Sequence, residues 1–249
     1  MLKVLFVASE AVPFIKTGGL ADVVGTLPKE LRRQGVDARV ILPKYGMIKE
    51  MYKEQMKPAW QNSIPVAWRQ KYVGIEEMNL DGMPVYFVDN EEYFKRDGIY
   101  GYDDDAERFS FFSRAVLNAL PALDFMPDII HLNDWHTAMV SVFLKLEHMH
   151  DERYQKMRTI FTIHNLKYQG VFPKEIMTDV LGLDWKYYRN GDLEFYGAVN
   201  FMKAGLIYAD AITTVSPTYA KEIQYEYFGE KLERLLQKRA NRMAAILHA

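Results

Sequence analysis

Cysteine is missing altogether from the 249 residues of this chain. That excludes disulfides, thiolate nucleophiles and thiolate metal sites, and it is compatible with a reducing compartment. No apolar run approaches the roughly 20 residues that a membrane-spanning helix needs. Met1 leads directly into Leu2-Lys3-Val4-Leu5, without the charged and apolar segments of an export signal, so a cytoplasmic protein without a membrane partner is expected. An excess of charge is absent too: 31 Lys and Arg face 33 Asp and Glu, for a net charge of −2. With the basic residues dispersed, no nucleic-acid surface is expected. The Lys231, Arg234, Lys238, Arg239 and Arg242 group reads as a solvated helix face. Two phosphate fingerprints are missing as well. No Gly-x-Gly-x-x-Gly follows the first strand, which argues against a nicotinamide enzyme, and no Gly-Lys-Ser/Thr marks a P-loop.

No repeat, low-complexity segment or Gly/Ser/Pro-rich linker divides the chain, and its residues are 49% hydrophobic and 14% aromatic. That is enough to bury one large core, so residues 1–249 are expected to form a single domain. Leu2–Ala8 is a mostly apolar strand of the kind covered on both faces. Leu20, Val23, Val24, Leu27 and Leu31 then repeat at helical spacing. Residues 38–42 form a second strand. Extended segments around 66–73 and 75–80 precede Asp81-Gly82 and residues 84–88, where Asp-Gly signals a hairpin. Asp103-Asp104-Asp105 reads as a helix start, before a stripe of Phe109, Phe112, Val116 and Leu120. Further strands are expected at 128–132, 158–163 and 211–215. Helices are expected at 135–148, near 175–183 and 198–209, and at 217–226 and 230–247. The alternation predicts an α/β fold: a Rossmann-like, doubly wound, mostly parallel sheet with an antiparallel hairpin excursion, and ligands at the carboxyl ends of its strands.

Lys16-Thr17-Gly18-Gly19 sits between the first strand and the first helix. A helix start presents free N–H groups, glycines let a ligand approach that backbone, and lysine adds a mobile cation suited to phosphate. Read locally, the same residues also fit a plain strand-to-helix turn. Asp134 fits a cap for the helix behind it, Trp135 fits simple packing, and His164 fits a buried, hydrogen-bonded side chain. His131, Asp134, His136 and His164 lack the spacing of a metal motif, so no metal is expected. Tyr100, Tyr168 and Gln169 lie in loops where rings and amides suit sugars, although most of the 16 tyrosines must be structural or surface residues. Glu10 is a candidate acceptor for sugar hydroxyls, with helix capping or solvent as the plainer roles.

Longer blocks are more specific. Lys16-Thr17-Gly18-Gly19-Leu20-Ala21-Asp22-Val23-Val24-Gly25-Thr26-Leu27-Pro28 closely resembles the opening of bacterial glycogen synthases and plant starch synthases. His131 to His136, Thr162 to Gly170, Asn200 to Leu206 and Thr213 to Ala220 match the same family in the same order, so the resemblance covers essentially the whole chain.

The resemblance implies the first half of a two-domain GT-B glycosyltransferase, needing no metal or other cofactor. The family moves glucose from ADP-glucose, or less commonly UDP-glucose, to the non-reducing 4-hydroxyl of an α-1,4-glucan with retention of configuration. It implies catalytic roles for His164, whose carbonyl and ring lie beside the anomeric carbon, and for Asp134 in the cleft. Lys16, Thr17, Gly18 and Gly19 would meet the donor. Glu10, Tyr100, Asn165, Tyr168 and Gln169 would meet the sugars. The partner domain, with the family's Arg/Lys clamp and glutamate, would lie beyond Ala249. His248 stands where the family commonly has Asn, and the expected helix ends without Gly or Pro punctuation, which reads as an imposed boundary. The chain by itself is therefore expected to transfer little or no glucose. A stand-alone glucan-binding or regulatory module on the same fold is the alternative.

Overall fold

The computed structural model describes residues 1–246. A nine-stranded sheet organises them. Its strands are β1 Lys3–Val7, β2 Asp37–Pro43, β3 Lys57–Val66, β4 Arg69–Leu80, β5 Met83–Asp89, β6 Ile129–Asn133, β7 Arg158–Ile163, β11 Ala211–Thr214 and β12 Met243–Ala245. The spatial order is β12-β11-β7-β6-β1-β2-β5-β4-β3. From β12 to β5 every pairing is parallel; β5–β4 and β4–β3 are antiparallel. The expected α/β sheet with an antiparallel excursion is thus the observed architecture. A separate sheet holds β8 Val171–Pro173, β9 Glu194–Phe195 and β10 Ala198–Asn200, all antiparallel.

Apolar runs dictate the middle of the large sheet. Val4, Leu5, Phe6 and Val7 of β1 are buried, as are Ile130 and Leu132 of β6 and Phe161 and Ile163 of β7. The Gly19–Arg33 helix buries Leu20, Ala21, Val24, Gly25 and Pro28, with Leu27 and Leu31 partly covered. Gly25 is required by this packing, because an added Cβ would lie 2.2 Å from Val12 Cγ2. The Asp105–Ala119 helix buries Phe109, Phe112 and Val116 on its expected stripe. Its preceding Asp104 makes no side-chain cap; it pairs instead with Arg96 (2.6 Å).

Several boundaries differ from expectation. Residues 69–80 form one continuous strand, and an unforeseen turn at Ala67-Trp68 joins it to β3. Ala67 has φ +50° and packs beside Gly182, where an added Cβ would lie 3.3 Å from Ala67 Cα. Asp81-Gly82, with φ +52° and +85°, makes the anticipated hairpin turn. The helix expected at 198–209 begins only at Phe201, because residues 198–200 pair in the small sheet. The helix expected at 217–226 stops at Glu222. The single helix expected over 230–247 is replaced by a Glu233–Lys238 helix, a turn, and β12, which pairs with β11. Arg239 is not part of a solvated face: its guanidinium donates to the carbonyls of Ile207 (3.0 Å) and Ala209 (2.5 Å), where the Phe201–Tyr208 helix ends. The last residues of that expected helix, with His248, lie outside the described residues. Among the described residues no helix is long and apolar enough to cross a membrane.

The strand order fixes where a ligand crevice opens. From β1 the chain proceeds outward to β2 and β5, then returns across β1 to β6 and proceeds the other way. Loops leaving the carboxyl ends of β1 and β6 therefore diverge, which is where open α/β sheets bind ligands.

Candidate functional site

The loop leaving β1 passes through Ser9 and Glu10, both buried, before reaching the Gly19–Arg33 helix. Glu10 binds that loop. Its Oε2 accepts the N–H groups of Thr17 and of Gly18 (3.3 Å), while Oε1 accepts the Thr17 hydroxyl (2.9 Å) and the Tyr100 hydroxyl (3.0 Å). The Tyr100 hydroxyl also lies 2.6 Å from Ser9 Oγ, and burial holds its pKa well above the usual tyrosine range. Its ring stacks on His136 at 4.3 Å and 27°. One face of Tyr100 is therefore already occupied by the protein.

Lys16 pairs with Asp22 across 2.7 Å in the helix's first turn, with both side chains about half exposed. Such a pair contributes little in water, so the ammonium is released at small cost. A Cβ added at Gly18 or Gly19 would meet nothing within 4 Å, and neither has positive φ. Neither packing nor backbone conformation requires glycine at these two positions, in contrast to Gly25. What the two glycines leave is accessible backbone at a helix start.

At the end of β6, Asp134 is held at φ +57°, ψ −179°, a region that costs an L-residue roughly 1–3 kcal/mol. Its own hydrogen bonds hold it there: its N–H donates to Thr162 O (3.0 Å) and its carbonyl accepts the Thr137 hydroxyl (3.1 Å). The carboxylate does not cap the helix behind it, as a local reading would have it. It turns towards the neighbouring strand end, where Oδ1 accepts the N–H groups of His164 (2.8 Å) and Asn165 (3.4 Å). Burial pushes its pKa up to about 7; the two amides pull downward and the nearby Glu10 charge adds to the rise.

His164 follows β7 directly, and its Nε2 lies 2.9 Å from Asn133 Oδ1. Asn133 is fully enclosed at the end of β6 and donates from Nδ2 to Val7 O (3.0 Å) and His131 O (3.2 Å). Asn165 accepts the Lys167 N–H at Oδ1 (3.1 Å). Gln169 is buried, and its amide serves the protein: Nε2 donates to Leu166 O and Glu230 O, and Oε1 accepts from Asn200. Tyr168, next to it, is 64% exposed. Gly170 adopts φ +63° against Trp135, whose ring would lie 2.3 Å from an added Cβ. His136 is buried, and desolvation together with Arg108 keeps its pKa well below the usual range, so it is neutral. His131 faces Thr162 Oγ1 at 2.5 Å. Among the described residues no three His, Asp or Glu side chains are grouped to hold a metal ion.

The fold thus gathers two small networks at the crevice. One joins Glu10, Thr17, Gly18 and Tyr100; the other joins Asp134, His164 and Asn165. Tyr100 of the first network stacks on His136, in the helical turn that follows Asp134 of the second. Asn133 and Ser9, which sequence reasoning did not single out, are both part of the framework. The signal for Asn133 was its place at the end of an apolar strand, where a buried amide must find partners.

Comparison with known proteins follows the same lines. Residues 3–238 match the family model described as the starch synthase catalytic domain. The chain is 55% identical over 247 residues to a glycogen synthase of Desulforamulus reducens, covering 99% of this chain and 52% of that protein. It is 54% identical to the glycogen synthase of Geobacillus stearothermophilus, covering 99% and 51%. Among solved structures, the catalytic domain of starch synthase IV from Arabidopsis thaliana, bound to ADP and acarbose, superposes with a TM-score of 0.90 at 32% identity, covering 99% of this chain and 51% of that one. The chain spans about half the length of the curated relatives it matches. With its sheet order, its crevice loops and residues 3–238 all in agreement, this chain belongs to the starch synthase catalytic domain family of GT-B glycosyltransferases.

Proposed function

We propose that this chain is the acceptor-side half of a retaining glucosyltransferase that extends α-1,4-glucan from ADP-glucose in the cytoplasm. The observation that carries this reading is the Asp134 carboxylate seated on the His164 and Asn165 amides, together with the uncrowded backbone of Gly19 at the start of the first helix. That the Arabidopsis relative was solved with ADP and acarbose supports a nucleotide and a glucan-like ligand for the same fold.

Transfer with retention must stabilise a positively charged sugar and a departing diphosphate at once. Held by Asp134, the His164 segment presents a backbone carbonyl and a ring to the sugar. Gly18, Gly19 and the releasable Lys16 face the departing diphosphate, and Thr17 sets the loop through Glu10. Glu10, Tyr100 and Gln169 are tied into the protein and shape the acceptor path, while Asn165 and exposed Tyr168 contact sugars directly. Clamping the diphosphate falls to a second domain, so residues 1–249 alone bind glucan and transfer almost no glucose.

Calorimetric titration with a maltooligosaccharide and, separately, with ADP-glucose tests this. Glucan binding with weak donor binding is expected. Transfer activity should return when the chain is joined to the second half of the Desulforamulus synthase. Tight ADP-glucose binding by the chain alone would put the donor site in the wrong half. Glucan binding with no activity in the joined protein would favour a binding module.

A further inference from the structure

Asn133 lies beneath His164 and cannot turn its amide around. Its Nδ2 has two backbone carbonyls in range, Val7 O on β1 (3.0 Å) and His131 O on β6 (3.2 Å). Reversing the amide would set its oxygen against both of those carbonyl oxygens in a buried setting, leaving three acceptors with no donor between them. The oxygen therefore faces His164, 2.9 Å from Nε2. An amide oxygen only accepts, so the proton of that hydrogen bond belongs to the imidazole.

We propose that Asn133 is a positioning residue that fixes the neutral His164 ring as the Nε2–H tautomer, leaving Nδ1 as the ring's acceptor. The consequence is chemical selectivity. Whatever hydrogen-bonds at Nδ1 must donate, which suits a sugar hydroxyl and rejects a carbonyl or carboxylate. The backbone of His164 is fixed separately, by Asp134 Oδ1 on its N–H (2.8 Å). Ring and main chain are thus oriented by consecutive residues at the end of β6, so a shift of β6 relative to β7 moves both together. The assignment of a sugar hydroxyl as the Nδ1 partner rests on the proposed function; the tautomer does not.

Long-range ¹H–¹⁵N correlation spectra of the ¹⁵N-labelled 249-residue chain, recorded where His164 is neutral, read the tautomer directly. Comparison with His164→Gln assigns its signals among the six histidines. A protonated, pyrrole-type Nε2 and a pyridine-type Nδ1 are expected. In Asn133→Ala the two nitrogen shifts should move towards each other as the tautomers mix. A wild-type ring protonated on Nδ1 would overturn the proposal, and that reading needs only the assignment variant to fold, not Asn133→Ala. So would an Asn133→Ala spectrum with both His164 nitrogens unshifted. Addition of maltooligosaccharide then tests the functional reading separately: a wild-type Nε2–H tautomer with no ligand response would retain Asn133's role and remove the sugar.

Discussion

Replacing Gly19 with alanine separates the needs of the fold from those of a ligand. Gly19 is the first residue of its helix, lacks positive φ, and has nothing within 4 Å of the Cβ position. Alanine is favoured over glycine in helices by about 0.5–1 kcal/mol, with only part of that realised at a terminus. Gly19→Ala should therefore hold or raise the melting temperature by about a degree, since 1 kcal/mol moves a domain of this size by roughly 2–4 °C. Gly25→Ala is the control in the same helix. Its methyl would lie 2.2 Å from Val12 Cγ2 and 2.7 Å from Val12 O, and backbone cannot move aside cheaply. Overpacking of that kind costs typically 1–3 kcal/mol, a fall of several degrees. Thermal melts of both variants measure this half of the prediction. In the protein joined to the second half of the Desulforamulus synthase, Gly19→Ala should lower transfer at least tenfold if, as the proposed function has it, the donor approaches the backbone there. A lowered melting temperature for Gly19→Ala would show that the fold needs this glycine. Unchanged stability with unchanged transfer would show that the glycine serves no ligand.

Asp134 should make stability pH-dependent in an unusual direction. With its folded pKa raised to about 7 from an ordinary 3.8, the folded chain holds a proton that the unfolded chain gives up, so its contribution falls as pH rises from about 4 to 7. The whole shift corresponds to roughly 4 kcal/mol at most. Asp134→Asn, which keeps an oxygen for the His164 amide, should gain stability over wild type as pH rises through that window. Melting curves in which that difference stays flat across it would contradict this. Arg239→Ala removes two charge-assisted bonds and should cost about 2 kcal/mol. Hydrogen exchange should then accelerate at Ile246, whose amide bonds Thr214 O, before it does in the central strands. Gly170→Ala combines positive φ with a methyl 2.3 Å from the Trp135 ring, and should cost roughly 2 kcal/mol or more. Denaturant unfolding measures it, and an unchanged midpoint would show that Trp135 moves freely.

The large sheet was legible because its central strands are apolar on both faces, so β1, β6 and β7 appear as short continuous runs. The Asp81-Gly82 turn was legible for a different reason, since both residues tolerate positive φ. Ala67-Trp68 carried no such signal: its turn is supported by contact with residue 182, far along the chain. The strand at 243–245 was hidden likewise. Met243-Ala244-Ala245 has helical character by itself, and only pairing with β11 makes it extended. At the candidate site the motifs gave positions without the contacts that hold them. The sequence placed Asp134 before a helix, but not the backbone geometry that turns its carboxylate away from that helix. Nor did the sequence show that the Gln169 amide, expected to meet sugar, is bonded to Asn200 and two backbone carbonyls.

Glu10 bears on how a donor could be held at all. Its carboxylate already sits on the Thr17 and Gly18 amides, so part of the positive field at the start of the helix is neutralised from within. An arriving diphosphate would find the Gly19 and Leu20 amides and the Lys16 ammonium, but it would also meet a resident negative charge behind the loop. On the proposed function, this crevice is tuned for recognising neutral sugar at rest. Its affinity for the nucleotide must be supplied by cations brought from the other side of the cleft, which couples donor capture to closure.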